Sequence, residues 1–536
     1  MRTTASESSL RSLLTQFKTG ITKWRLLFWV FALIYAHLVT LDLANAPIQW
    51  DEATHLNNGL FMLRGEYTAF NSFYPPLFDA ATNGFFKVLG VTVLSARLVS
   101  VTFSLLSLLA VFELAYNMYG AKTALIASIL LGLFPGYFWL SRVAMIETML
   151  VFFVTASLLF FFSWFRNRQD KMLVLSGLAL GLGFLTKYQM LIAGVIMVAS
   201  MLLLARDHLK VKLSKITLLI ITAIAVVIPW FLISYDVYAS KLLDEWVYAL
   251  QMGNPEKSLY SVRYPLPMFY FIEMTWPYCD VHPISLFLYI ISLLGLGLFA
   301  WRRKKEDRLL LIWFIVVFVF FTLIPNKHWR YVLPLFPALA ISAASFIFFF
   351  YEKAETAWRG HISINKKRAV KVAAGLFTTF LAVGIVLSAK DAYDGAAEYQ
   401  IKIDIEGATK YAYNSLNQNE SIMLLCPFNF FNDDMVRFYL WADGTRKNQV
   451  YTYPELPVDT YTPSFNITEF VGLCKQGNVK YVFTYEFGGV VPYFNTTLNL
   501  QKIYMLLYDS GNFTHISDDA TFGSNPRRIF ILTFVG

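Results

Sequence analysis

The sequence predicts a polytopic α-helical membrane protein that carries a small α/β domain at its C-terminal end. Three observations support this fold class. Of the 536 residues, 57% are hydrophobic and only 15% are charged. The apolar residues are concentrated in long runs with almost no charge, which is the composition of membrane-spanning segments. The last quarter of the chain instead has mixed polarity and alternates short apolar runs with helical patterns, which is typical of a folded α/β layer.

Each predicted span is an apolar run long enough to cross the bilayer. About 20 residues of helix cover a hydrocarbon core of about 30 Å, and about eleven runs have this length. The first lacks a convincing cleavage site and is predicted to be retained. The fifth is short and rich in glycine, so we expect a tilted or broken span packed closely on a neighbour. The predicted spans are 26–46, 91–117, 121–139, 143–165, 172–186, 189–206, 215–236, 284–300, 308–324, 332–350 and 370–389.

The charge distribution predicts the orientation of these spans. If the N-terminal tail 1–25 is cytoplasmic, far more lysines and arginines flank the inner ends of the spans than the outer ends. The formal charge of +9 is therefore interpreted as a topology signal, and no nucleic-acid partner is expected. The membrane domain, 26–390, then has outer loops at 47–90 and 237–283. We expect a multi-pass protein of the plasma membrane or an equivalent endomembrane, contacting membrane lipids.

An odd number of spans exports the remaining residues, 391–536, which are numerous enough to fold as a domain. The sequence predicts strands at Ile422–Leu425, Tyr481–Tyr485, Ile503–Tyr508 and Ile529–Phe534, with helices near 399–416 and 465–475. One disulfide can form among Cys279, Cys426 and Cys474 on the outer side. Glycosylation sequons, which require exposure on that side, occur at Asn419, Asn466, Asn495 and Asn512.

Two adjacent acids, Asp51 and Glu52, follow the first span directly. Ionisable groups at membrane depth are costly and tend to be retained for function. Neighbouring carboxylates raise one another's proton affinity, which suits a general base. The alternative is an ordinary solvated helix end or a helix cap. The same loop continues to Tyr74-Pro75-Pro76, where an interfacial segment or a simple aromatic anchor both fit.

Charged residues recur in three other outer connections. Arg142 and Glu147 lie in one short turn and either pair locally or reach a ligand. Lys187, and Lys327 with Arg330, violate the expected bias of positive charge toward the inside. An anionic phosphate at headgroup level explains them through charge-assisted hydrogen bonds, whereas snorkelling to lipid is the alternative.

The long outer loop 237–283 resembles a lid over a cavity at membrane level. Within it, Asp280 and His282 could bind a divalent ion or hydrogen bond to each other. Two ligands one residue apart do not define a metal site. No cofactor is therefore predicted to be required, although a divalent metal is compatible with the sequence.

Together these features resemble the GT-C class of membrane glycosyltransferases, specifically the protein O-mannosyltransferases and aminoarabinose transferases, over roughly residues 20–350. Three segments carry the resemblance, and Tyr74-Pro75-Pro76 and Thr186-Lys187 support it. The aminoarabinose transferases have a charged residue before their double proline, where this chain has Phe73-Tyr74. The three segments are WDEATH at 50–55, SRVAMIE at 141–147 and KHWRYVLPLFP at 327–337.

The resemblance implies an inverting transfer of a sugar, such as mannose, from a polyprenyl phosphate at the outer membrane face. The acceptor would be a protein, a glycan or a lipid of the cell envelope. Asp51 would be the general base or would position the acceptor, Glu52 would assist it, and Glu147 would stand where these enzymes often have an aspartate. The implied phosphate-binding residues are Arg142, Lys187, Lys327 and Arg330. Further pocket candidates are His55, Tyr74, His328 and Tyr331.

Two other functions fit a membrane protein of this kind. A transporter or flippase of lipid-linked sugars would also place charges in a membrane cavity. Such proteins commonly show paired repeats and discontinuous helices, whereas this chain has no convincing internal repeat and its charges gather at the outer boundary. A non-catalytic surface assembly protein, in which the exported domain is the working part, is the third interpretation.

Overall fold

Long helices fill the first three quarters of the computed structural model, and a mixed sheet fills the last. The helices from the N-terminus to residue 238 are α1 Lys23–Thr40, α2 Trp50–Arg64, α3 Leu77–Leu89, α4 Val93–Tyr119, α5 Ala121–Leu133, α6 Pro135–Leu140, α7 Glu147–Asn167, α8 Asp170–Phe184, α9 Leu191–Leu204 and α10 Leu209–Tyr238. Those that follow are α11 Phe269–Glu273, α12 Leu286–Arg302, α13 Lys305–Leu323, α14 Phe336–Arg359 and α15 Ile364–Glu398. The structure describes residues 23–46, 48–70, 73–239, 244, 247, 269–275, 282–324, 328–360, 363–398, 403–427, 431–454, 465–485, 500–515, 521–522 and 528–536.

A helix lies over each of the predicted spans. Among the described residues, six helices are long and apolar enough to cross a membrane: α1, α4, α7, α10, α15 and the 3₁₀ turn Trp329–Leu335 continued by α14. Several apolar helices of this kind confirm a multi-pass membrane protein. The number of crossings, their orientation and the domain boundaries remain predictions from the sequence.

Two of these helices present their apolar side chains outward. Only 6% of the apolar window of α10 and 11% of that of α15 is buried within the protein. An exposed helix that is apolar on all sides is stable only in a hydrocarbon environment. We therefore interpret α10 and α15 as helices that face lipid.

Close helix packing in the membrane domain depends on glycine, as at the crossing of α12 and α14. A β-carbon on Gly295 of α12 would lie 2.1 Å from the backbone oxygen of Ser342 on α14, whereas one on Gly297 would meet nothing within 4 Å. Gly295→Ala should therefore destabilise the protein by about 1–3 kcal/mol, the usual cost of overpacking. Thermal unfolding in detergent checks this, with Gly297→Ala as the matched control. Equal melting temperatures for the two variants would contradict close packing of α12 on α14 at Gly295.

The loop between α1 and α4 contains two helices, α2 and α3. Ala53, Leu56 and Leu60 of α2 are buried, and so are Phe78 and Phe86 of α3. Gly59 lies at the contact, where a β-carbon would be 2.7 Å from the side chain of Thr82. The pair thus forms a packed platform at one end of the membrane helices rather than an irregular loop.

The described residues between 403 and 536 form a mixed sheet flanked by helices. Its order is β2-β1-β3-β6-β4, with β5 also paired to β6. The first three strands in this order are parallel, whereas β6 is antiparallel to β3, and β4 and β5 are antiparallel to β6. The strands are β1 Ser421–Leu425, β2 Val450–Tyr453, β3 Val479–Tyr485, β4 Phe513–His515, β5 Thr521–Phe522 and β6 Ile529–Phe534, and the helices are α16 Ile405–Ser415, α17 Asp433–Trp441, α18 Ile467–Gln476 and α19 Leu500–Asp509.

One strand predicted for this region is wrong, and one possible disulfide is excluded. The strand predicted at Ile503–Tyr508 is part of α19, because Ile503 and Leu507, one helical turn apart, are buried while Met505 and Tyr508 are exposed. Cys426 and Cys474 are both free and buried, which excludes a disulfide between them, one of the pairings that the sequence allows. Burial raises the pKa of the Cys474 thiol to about 12. Cys279 and Asn495 lie outside the described residues.

Helix α17 packs on α2 and so joins the C-terminal region to the platform. Thr54 donates to the carboxylate of Asp434 at 3.1 Å, and the Asn57 amide donates to the backbone oxygen of Asp434 at 2.8 Å. One face of α2 therefore packs against α17. Farther along that face, the rings of Phe61 and Trp441 pack at 6.0 Å and Arg64 donates to the backbone oxygen of Trp441.

Candidate active site

Helix α2 begins immediately before Asp51 and presents this residue at the edge of the platform. The side chain of Glu52 accepts a hydrogen bond from the backbone N–H of Gln49 at 3.0 Å, which closes a capping box at the helix start. Successive turns then give α2 distinct faces. Thr54 and Asn57 meet α17, whereas Asp51, His55 and Asn58 share another face.

Asp51 belongs to a chain of alternating charges. Its Oδ2 accepts from Nη1 of Arg330 at 2.9 Å. The same Arg330 nitrogen lies 3.9 Å from Oε1 of Glu147, and that oxygen accepts from Nζ of Lys187 at 3.1 Å. Four residues that are far apart in sequence thus converge, two acids with two bases.

Each member of this cluster is positioned by the end of a helix. Glu147 is the first residue of α7. Lys187 has extended backbone between α8 and the 3₁₀ turn Tyr188–Met190, and the backbone N–H of Leu77 donates to the oxygen of Leu185 beside it at 2.9 Å. Arg330 lies in the turn Trp329–Leu335, and its backbone N–H donates to Nδ1 of His328 at 3.1 Å.

Aromatic side chains border the charges. Nζ of Lys187 lies 6.0 Å from the ring centre of Tyr331, at the outer limit of a cation–π contact. Burial raises the pKa of the Tyr74 phenol, the Asp51 carboxylate raises it further, and Arg330 opposes this effect. Tyr74 is therefore neutral and close to the Asp51–Arg330 pair. The structure brings together eight predicted site residues: Asp51, His55, Tyr74, Glu147, Lys187, His328, Arg330 and Tyr331.

His55 is buried beneath this cluster and bound to an acid that the sequence did not single out. Its Nδ1 lies 2.7 Å from Oδ1 of Asp79 on α3, and Nδ2 of Asn58 donates to Oδ2 of Asp79 at 3.0 Å. Asp79 follows the Tyr74-Pro75-Pro76 turn. An acid at the start of an otherwise apolar helix was the signal that could have found it.

Glu52 does not face the pocket, which corrects its predicted role as assistant to Asp51. Its side chain is completely buried against Arg97 of α4. Nε and Nη2 of Arg97 donate to its two oxygens at 2.7 and 2.8 Å, and the Ala144 N–H donates to Oε1 at 2.8 Å. Glu52 therefore holds the start of α2 to the turn that precedes Glu147. The signal for Arg97 was a lone arginine within a predicted span.

Arg142 is also engaged elsewhere, which corrects its predicted role in phosphate binding. Its guanidinium donates to the backbone oxygens of Leu38, Val39 and Leu41 at 3.2, 2.9 and 2.7 Å. These oxygens lie at the C-terminal end of α1, where helix carbonyls lack partners and a cation is favourable. Arg142 is thus a cap of the first helix.

Three predicted residues remain. Lys327 and Asp280 lie outside the described residues. His282 is bound through Nδ1 to the backbone oxygen of Thr275 at 2.6 Å. In the part of the chain that the structure describes, no group of three or more histidine, cysteine or acidic side chains could hold a metal ion.

Comparisons with known proteins match this architecture. Residues 74–233 match the family described as dolichyl-phosphate-mannose-protein mannosyltransferase. An uncharacterised protein of Aquifex aeolicus is 27% identical, covering 49% of this chain and 50% of its own length. An undecaprenyl phosphate-alpha-4-amino-4-deoxy-L-arabinose arabinosyl transferase of Pectobacterium atrosepticum is 26% identical, with coverages of 48% and 46%. The chain thus matches these curated relatives over about half of their length.

Solved structures extend the likeness in fold to nearly the whole chain. ArnT from Cupriavidus metallidurans in the apo state superposes with a TM-score of 0.64 at 15% identity, covering 97% of this chain and 98% of that one. The apo oligosaccharyltransferase of Archaeoglobus fulgidus gives a TM-score of 0.57 at 12% identity, with coverages of 86% and 69%. These findings confirm the resemblance read from the sequence: the chain is related to the GT-C class membrane glycosyltransferases of the aminoarabinose-transferase and protein O-mannosyltransferase group.

Proposed function

We propose that this protein transfers a sugar from a polyprenyl phosphate to an acceptor at the outer face of the membrane, with inversion at the anomeric carbon. The observation that carries the proposal is the convergence of Asp51, Glu147, Lys187 and Arg330 at the platform end of the membrane helices. A related structure contains ArnT bound to undecaprenyl phosphate, and another contains an archaeal oligosaccharyltransferase with dolichol-phosphate. A carrier of this chemical class is therefore the donor we infer.

Lys187 and Arg330 are the residues that would bind the carrier phosphate. Both are only partly exposed, 15% and 23% for their side chains, so their charges are incompletely screened by solvent. A phosphate entering the cluster would compete with Asp51 and Glu147 for these cations. Because charge-assisted hydrogen bonds are strong where water is scarce, the cations would also stabilise the negative charge that develops as the phosphate departs.

Asp51 would then act as the general base. Its side chain is 34% exposed, whereas that of Glu147 is 3% exposed, so Asp51 is the carboxylate that an acceptor can reach. When the phosphate attracts Arg330, the carboxylate of Asp51 leaves its ion pair and becomes available to the acceptor hydroxyl. The acceptor oxygen attacks the anomeric carbon opposite the phosphate, the bond to phosphate breaks with its electron pair on the phosphate, and the acceptor proton moves to Asp51.

Glu147 would orient a hydroxyl group rather than take a proton. Its Oε1 is bound to Lys187, and its Oε2 is buried without a hydrogen-bond partner within the described part of the chain. A buried carboxylate oxygen without a partner is costly. A sugar hydroxyl that donates to Oε2 would satisfy it, which makes Glu147 a candidate for recognising the sugar.

The proposal extends to the identity of the sugar and of its acceptor. The family match favours mannose, and the curated relatives favour an amino sugar of the pentose class. Phe73-Tyr74 stand before the double proline in place of the charged residue of the aminoarabinose transferases, so we favour a neutral hexose. Analysis of cell-surface glycans after gene deletion would identify both the missing sugar and its attachment point.

The test of the proposed reaction is transfer of radiolabelled sugar from polyprenyl phosphate by the full chain in lipid nanodiscs. Sugar released onto an envelope extract supports the proposal. A transporter would instead move the intact donor across vesicle membranes without cleaving it, and an assembly protein would do neither. Either of these results would overturn the enzymatic function.

Lys187→Met is expected to weaken donor binding. The variant removes one charge-assisted partner of the phosphate, so the KM for the donor should rise roughly 10- to 100-fold. The matched control is Lys122→Met, which removes an exposed lysine at the start of α5. If both variants bind the donor as the wild type does, Lys187 does not hold the phosphate.

A further inference from the structure

The buried pair of His55 and Asp79 lies directly under the proposed donor pocket. The exposed fractions of these residues are 1% and 0%, and their side chains approach to 2.7 Å. Asn58 donates to the second oxygen of Asp79, so both carboxylate oxygens are engaged. Two fully buried titratable groups are costly to keep in a protein unless they are paired, and neither has a part in the transfer step described above.

The pair is coupled to the pocket through helix α2 and through Tyr74. His55 follows Asp51 by four residues, so the two side chains are neighbours on one helix face. The ring of His55 packs against Tyr74 at 4.9 Å and against Phe78 at 5.1 Å. A change in the charge of His55 therefore changes the electrostatic potential where the donor phosphate would bind.

Among the described residues, the charges around His55 balance only when this histidine is protonated. Three carboxylates face it: Asp51 on its own helix, Asp79 on α3 and Glu147 on α7. Two permanent cations among the described residues, Lys187 and Arg330, lie in the same cluster. The sum of these described charges is zero with His55 protonated and minus one with His55 neutral. The other titratable groups described nearby are the phenols Tyr74 and Tyr331, His328, which accepts from the Arg330 N–H, and Asp434, which meets the opposite face of α2.

The protonation of His55 is set by opposing effects. Burial alone lowers the pKa of this imidazole, but the charge and hydrogen bond of Asp79 raise it by more, and Asp51 and Glu147 add to the increase. The pKa is therefore above the ordinary value of 6.5. His55 therefore keeps its proton to a higher pH than an ordinary histidine does, and histidine is the side chain whose charge responds most readily to its surroundings.

We propose that His55, held by Asp79, is a positioning residue that sets the charge of the pocket, and that its protonated form favours binding of the anionic polyprenyl phosphate donor. This inference rests on the proposed function. The linkage between sugar and carrier is a phosphodiester with one negative charge, so a pocket with net negative charge repels it. One unit charge at this range and burial changes affinity on the order of tenfold.

The experiment measures the KM for the donor and kcat of the full chain in nanodiscs from about pH 5.5 to 9. In the wild type, the KM should rise about tenfold through the His55 transition, while kcat changes much less. His55→Asn leaves three carboxylates against two cations, so the KM should be high at every pH. Asp79→Asn leaves two carboxylates against two cations, so the KM should be low at every pH.

The double variant His55→Asn with Asp79→Asn separates charge from structure. It removes both members of the pair, yet it restores the charge balance, so its KM should return to the low value. A double variant as impaired as His55→Asn, or a wild-type KM that does not vary with pH, would overturn the inference. His208→Asn, far from the pocket at the start of α10, should keep the wild-type profile. A wild type that transfers no sugar at any pH would instead refute the proposed function.

Discussion

Replacing Asp51 by asparagine is expected to slow sugar transfer by about 10²- to 10⁴-fold, the usual contribution of a general base. The amide has the same shape and can still accept from Arg330, so the pocket should remain assembled. It cannot take up the acceptor proton. We therefore expect kcat to fall while the KM for the donor changes little, measured by transfer from radiolabelled polyprenyl phosphate sugar at matched protein levels.

The control for Asp51→Asn is Asp394→Asn. Asp394 is an exposed aspartate near the end of α15 that pairs with Lys390 at 2.5 Å, and the pocket does not use it. Its variant should transfer at the wild-type rate. Near-normal transfer by Asp51→Asn in membranes with intact expression would exclude a general base at this position. A loss confined to donor affinity would instead assign Asp51 to binding.

The helical part of the fold could be predicted because the membrane imposes a simple rule. Apolar runs of about 20 residues are hard to explain otherwise, and a helix lies over each of those identified here. The error at Ile503–Tyr508 arose where this rule does not hold. A short apolar run is compatible with a strand or a helix, and only the packing of Ile503 and Leu507 into the domain distinguishes them.

The site could be predicted in part because charges on the outer face are unusual. Lys187 and Arg330 were identified by that signal, and both reach the carboxylates. Arg142 gave the same signal but binds the end of α1. Local sequence does not distinguish these outcomes, because the partners of Arg142 and Arg330 are about 100 and 280 residues away.

Helix geometry explains the error at Glu52. This residue became a catalytic candidate because it is adjacent to Asp51. On a helix, neighbouring residues point about 100° apart, so they rarely share one site. Asp51 faces the pocket, whereas Glu52 faces the interior and meets Arg97. A buried bidentate pair of this kind is a structural element, and its loss has consequences different from those expected at Asp51.

Arg97→Met is expected to destabilise the protein by roughly 3–5 kcal/mol, because it leaves the Glu52 carboxylate buried without its cation. Arg97 also donates through Nη1 to the backbone oxygens of Leu43 and Ala46 at 2.7 and 2.8 Å. The variant therefore loosens the chain that connects α1 to α2. Folded yield and thermal unfolding in detergent measure the effect. The double variant Arg97→Met with Glu52→Met should recover part of the loss, since no unpaired charge remains.

Arg25→Met provides the matched control, because Arg25 forms a comparable pair with Glu113 at 3.0 Å in which the side chains are 37% and 30% exposed. Exposed pairs contribute about 0–1 kcal/mol, so this variant should melt close to the wild type. Glu52→Gln tests whether Glu52 is catalytic rather than structural. If Glu52 is structural, this variant loses stability, and what remains folded keeps its kcat. A fully stable Glu52→Gln protein whose kcat falls as far as that of Asp51→Asn would return Glu52 to the catalytic machinery, because loss of a structural contact in this buried pair should first lower stability.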